Sequence, residues 1–121
     1  MLRFAFIAFL IAHGGIHAAI WAMPPKADAP FDASTSWLLG SQRSLSIAVA
    51  SIAAVLLVVG GAGLWMHAEW WRGVTIAGLG VSFALMVVWF NPWFSFIEVV
   101  NAALLVGLAF LAWPSTDVLG A

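Results

Sequence analysis

The chain has no cysteine and no tyrosine, and charged side chains make up only 7% of its 121 residues. Without cysteine there is no disulfide, no thiolate metal site and no thiol nucleophile. The four basic and five acidic residues leave a net charge of −1, so there is no basic face for nucleic acid and no acidic tail. Also missing are a phosphate-cradling glycine loop, a GxSxG nucleophile elbow and an aspartate-rich phosphate or prenyl site. What remains is apolar: 64% of the residues are hydrophobic and the mean hydropathy is +1.09. A chain long enough for one domain cannot hide that much apolar surface from water, because small domains keep a large share of their area exposed. Its natural solvent is the bilayer.

Four apolar runs, at about 2–22, 42–66, 72–91 and 94–113, each have the length to cross the hydrocarbon as a helix. These predict an all-α, polytopic membrane protein: one membrane domain over 1–121, folded as a four-transmembrane-helix up-down bundle, with an external loop over 23–41. The first run follows Arg3 but is too long for a signal-peptide core, and is expected to be retained as a span. In the loop "MPPKADAPFDASTS" must lie outside the lipid, and "STSWLLGSQR" is expected to form an interfacial half-turn. Pro92 should stop the third helix and Pro114 the fourth. Threading the runs up and down places Trp65, Trp70, Trp71 and Trp113 at one face and Trp21, Trp37, Trp89 and Trp93 at the other, as two aromatic belts. Arg3 and Arg72 balance Lys26 and Arg43. The expected orientation, in a bacterial cytoplasmic membrane with both termini cytoplasmic, therefore rests on the even span number and the Pro-rich loop. A stripe of small residues, Ala5, Ala8, Ala12, Gly15 and Ala19, runs down the first helix. It is expected to pack against the other helices, or else to form a flat surface for a partner.

Polar residues inside the spans are few, and "FLIAHGGIHAAIW" holds two of them. His13 and His17 are spaced so that both rings leave one helix face. Glu98 and Asn101 fall at matching depth on the fourth helix, with Gln42 and Arg43 at the mouth of the second. Three readings stay open. One is a closed hydrogen-bonded network of Glu98, Asn101 and neutral histidines tying helix one to helix four, with Gln42 and Arg43 in reach. A second is a ligand site, in which His13, His17 and Glu98 would suit a metal, or a histidine would be an axial ligand to haem or a chlorin. The third is a proton path. The HExxH glutamate of a metalloprotease is absent. His67 reads as an interfacial histidine, and Glu69 and Arg72 as an exposed ion pair.

The order of motifs resembles a group of small bacterial four-helix membrane proteins. These are "HGGIH" in the first helix, Arg43 before the second, "EWWRGVTIAGLGVS" into the third, Trp89 at its end and Asn101 in the fourth. The resemblance implies the bundle and draws attention to His13, His17, Trp71, Arg72, Trp89 and Asn101. It does not include Glu98, and "FNPWFS" stands where an aspartate is usual.

Tiny extramembrane segments and the lack of a catalytic motif point to a non-catalytic accessory or structural subunit of a larger membrane complex, respiratory or photosynthetic in type. Its partners would be lipid and other membrane subunits. The alternative is a small binding protein or carrier that uses His13 and His17 for a metal, a haem or chlorin pigment, or a quinone-like lipid. An enzymatic reading needs the His–Glu cluster open to a substrate.

Overall fold

The computed structural model describes residues 1–22, 24, 27, 28 and 32–120. Lys26 and most of the Pro-rich part of the loop lie outside the described residues. Helix α1 covers Leu2–Ala22, α2 Arg43–Trp65, α3 Trp71–Val88 and α4 Ser95–Phe110, with a 3₁₀ turn at Pro92–Phe94 leading into α4. A short α5, Thr116–Leu119, ends the chain. The four long helices are long and apolar enough to cross a membrane, and the fold is an all-α, up-down, four-span bundle. Both ends of the chain lie at one face, called here the terminal face. The described residues of the 23–41 loop lie at the other, the loop face.

The registers show the antiparallel order. Gly14 of α1 meets Ala54 and Val58 of α2, while Gly61 of α2 meets Ile7 and Ile11 of α1. Gly63 meets Trp70 and Trp71, and Gly78 of α3 meets Leu56 and Leu57. Two of these glycines carry the packing by having no Cβ. One added to Gly14 would stand 2.9 Å from the Ala54 carbonyl oxygen. One added to Gly60 would strike Thr75 Oγ1 and lie 3.3 Å from Thr75 Cα. In lipid, close backbone approach of this kind is what holds helices together.

The small-residue stripe of α1 does the opposite of packing the bundle. Ala5, Ala8, Ala12, Gly15 and Ala19 are all exposed, and α1 packs instead through Ile7, Leu10, His13, Gly14, His17 and Trp21. The two sets lie on opposite sides of one helix, and the bulky set gains more contact by facing inward. The tryptophans also divide differently from two simple belts. Trp37, Trp65, Trp70, Trp93 and Trp113 are exposed, but Trp21, Trp71 and Trp89 are buried between helix ends.

The helices stop where their last carbonyls find partners. Trp37 Nε1 donates to Val87 O at 2.8 Å and Ser36 Oγ to Val88 O at 2.5 Å, so α3 ends at Val88 rather than 91. The segment that does this is not a helical half-turn. Thr35–Ser36 (β1) pairs antiparallel with Gly40–Ser41 (β2). Gly40 at φ +71 closes the turn, and Ser36 Oγ accepts from the amides of Leu38 and Leu39. Before it, Asp32 accepts from the hydroxyls of Ser34 and Thr35 and from the Ser34 amide. Those bonds, with the charge of Arg43 nearby, hold its carboxyl below the ordinary aspartate range.

At the terminal face Arg72 donates to Leu108 O (3.2 Å) and Pro114 O (2.8 Å) rather than pairing with Glu69. This ends α4 at Phe110, short of 113, and folds the C-terminal segment under the bundle. Arg3 Nη1 donates to the ring of His67 and to Gly120 O, so Arg3 ties α1 both to the α2–α3 turn and to the C-terminal segment. Of the four spans, the fourth is the least covered by the rest of the bundle: 17% of its apolar stretch is buried, against 33–44% in the others.

Candidate functional site

The face of α1 that enters the bundle carries a ring at every fourth residue. Phe9 and His13 have centroids 5.4 Å apart, His13 and His17 5.0 Å, and His17 and Trp21 5.6 Å. Positions i and i+4 lie one above the other on a helix, so the ladder follows from spacing alone. Both imidazoles are buried, His13 at 6% exposure and His17 at 1%.

Their polar atoms are matched across three helices. His13 Nε2 lies 2.7 Å from Asn101 Oδ1 on α4. Asn101 Nδ2 donates to Ser82 Oγ on α3 at 2.6 Å. Ser82 Oγ lies 2.6 Å from His17 Nε2. A carbonyl oxygen only accepts, so the Asn101 amide makes His13 the Nε2–H donor. Ser82 accepts from Asn101 and bonds His17 Nε2, as donor or acceptor according to the His17 tautomer. The result is one connected chain: His13, Asn101, Ser82, His17. Ser82 and Asn101 are each at 0% exposure, so no water competes for these bonds. Such buried bonds are strong locally, and a missing partner is correspondingly costly.

One end of the chain is left over. His17 Nδ1 is buried without a partner, and so are Trp21 Nε1 and Trp89 Nε1. Trp21 and Trp89 belong to one buried cluster with Ala50, Leu85 and Met86 at the loop face. Three unpartnered nitrogens thus sit in the loop half of the bundle, an unusual concentration where nearly all buried polar groups are bonded.

Of the residues singled out in the sequence, the structure brings His13, His17 and Asn101 together. Glu98 is elsewhere: it lines a lipid-side groove with Trp37, Phe83, Val87 and Phe90. Gln42 and Arg43 belong to the start of α2. The Gln42 amide donates to Ser34 O, and Arg43 bears electrostatically on Asp32. Among the described residues no three His, Cys, Asp or Glu side chains gather as a metal-ligand set. With both Nε2 atoms engaged, a metal would have to displace the bonds to Asn101 and Ser82. Trp71 and Arg72 lie at the terminal face, and Trp89 in the buried loop-face cluster. Ser82 is the partner that sequence reading did not place in the site. Its signal was a hydroxyl deep in an apolar span, one of two in α3 with Thr75.

The chain matches no protein-family model, no curated protein and no solved structure. The resemblance to small bacterial four-helix proteins therefore reaches as far as the membrane-spanning bundle.

Proposed function

We propose that this protein is a non-catalytic subunit that docks on other transmembrane helices in a bacterial cytoplasmic membrane, with both termini on the cytoplasmic side. The observation that supports this is the exposed stripe Ala5, Ala8, Ala12, Gly15 and Ala19 on α1. Its 3-4-3-4 spacing keeps it on one face, and a Cβ on Gly15 would meet nothing within 4 Å. Small residues turned to lipid forgo van der Waals contact that a second helix would supply. The buried histidines fit a scaffolding part, since their Nε2 atoms tie α1 to α3 and α4. A photo-crosslinker at Ala12 in native membranes should capture a different membrane polypeptide, and Gly15→Leu should abolish that product while the bundle stays folded. Adducts with lipid alone, or with the same chain alone, would overturn the accessory reading.

A second reading, a small lipid-binding protein, has its own support in the unpartnered nitrogens of His17, Trp21 and Trp89. A quinone-like lipid carries carbonyl acceptors that would complete such donors. Quinone co-purifying with the protein, and lost from a His17→Leu variant, is the expected result. An equal quinone content in both would sink this reading.

A further inference from the structure

Glu98 poses a question that the bundle does not answer. It lies in the first turn of α4, where the helix dipole favours a carboxylate. That accounts for its position along the helix, yet both carboxyl oxygens are buried and neither has a hydrogen-bond partner. No other polar residue joins it in lining the adjoining groove: its companions are Trp37, Phe83, Val87 and Phe90. Among the described residues none supplies a donor or a cation to this acid placed among rings.

The groove has the form of a small-molecule site. It runs between α3 and α4 on the lipid side, is roofed by the β1–β2 turn, and has a volume of about 480 Å³, within the ordinary range for ligand pockets. Its roof is held in place, because the Trp37 indole donates to Val87 O at 2.8 Å. Three of the five lining residues, Trp37, Phe83 and Phe90, are aromatic, and aromatic faces attract cations. An unpaired carboxyl beside such faces selects for positive charge, and the apolar walls select for a hydrophobic body. Glu98 is half-buried and borders the groove with its carboxyl oxygens behind the wall; a cation in the groove would draw the carboxylate in by a change of side-chain rotamer.

We propose that this groove binds an amphiphilic organic cation, its ammonium-type charge against Glu98 and its apolar body against Trp37, Phe83 and Phe90. The occupant enters laterally from the membrane leaflet at the loop face. The shared chemistry has two sources, the amine headgroup of a lipid or a free hydrophobic cation. The proposal is independent of the docking stripe, which lies on α1.

The test uses the full chain in uncharged maltoside micelles, with tetraphenylphosphonium as the probe and neutral triphenylphosphine oxide as its uncharged counterpart. Tryptophan fluorescence should report saturable binding of the cation and much weaker binding of the neutral compound. Glu98→Gln keeps the shape and removes the charge. It should weaken the cation by about tenfold or more, the loss expected for one charge pair, and leave the neutral compound unchanged. Should Glu98→Gln fold poorly, the preference for cation over neutral on the unaltered chain still decides the matter. Equal affinities for the two compounds, or an unchanged affinity for the cation in Glu98→Gln, would overturn the proposal. Adding phosphatidylethanolamine separates the sources. Competition with the probe supports a lipid amine as the resident ligand, and no competition supports a free hydrophobic cation.

Discussion

Asn101→Leu should destabilise the bundle by about 2 kcal/mol, more than the simple loss of two side-chain bonds would suggest. Hydrogen bonds between membrane helices average only about 0.6 kcal/mol, because the unfolded chain in lipid finds other partners. The greater cost lies in what stays behind. His13 would keep an Nε2–H pointing at a leucine, in a site that is 6% exposed. A buried donor stranded in this way costs about 1–3 kcal/mol. It follows that the double variant His13→Leu, Asn101→Leu should be more stable than Asn101→Leu alone, although it departs further from the natural chain. The double variant leaves no stranded imidazole, and Ser82 and His17 still have each other. Reversible unfolding in mixed micelles gives the comparison directly. A double variant as unstable as the sum of its parts would show that His13 and Asn101 are not coupled in one network.

The second large effect is steric. Gly60→Val should lower stability by about 1–3 kcal/mol or more, the usual range for overpacking a close contact. The added methyls must enter space held by Thr75, whose Cα is 3.3 Å from the site of the missing Cβ. Thr75 cannot easily retreat, since it is at 0% exposure and its hydroxyl donates to Trp71 O at 2.8 Å. Gly15→Val is the matched control. It makes the same change in a transmembrane helix, but at a position with nothing within 4 Å. Thermal loss of monomer on size exclusion should separate the two clearly. If they melt together, the close α2–α3 contact does not carry the stability assigned to it.

The lone heteroatoms in the spans form two systems rather than one. Depth along the helices put His13, His17, Glu98 and Asn101 at comparable levels, and depth is legible from residue counting. Rotation about each helix axis is not. Glu98 and Asn101 are three residues apart on α4, about 60° short of a full turn. That difference is enough to send one side chain into the core and the other to the groove. The α1 stripe makes the same point. Small and bulky residues alternate around that helix with regular spacing on both sides, and in a chain apolar all round the pattern does not say which side faces inward.

The solvent, the number of spans, their approximate limits and the placing of His13 and His17 on one face are legible in the order of residues alone. These follow from run length, from proline positions and from the 3.6-residue period, all of which are local. The packing of the helices places Ser82 between the two histidine bonds and buries Trp21, Trp71 and Trp89. It also lets Arg72 and the Ser36–Trp37 turn finish the helices, and leaves the Glu98 carboxyl buried beside the groove without a partner. Each of those depends on which helix sits beside which and at what rotation. In lipid that choice is made by the fit of side chains against neighbouring backbones, with no separation of apolar from polar faces to announce it in advance.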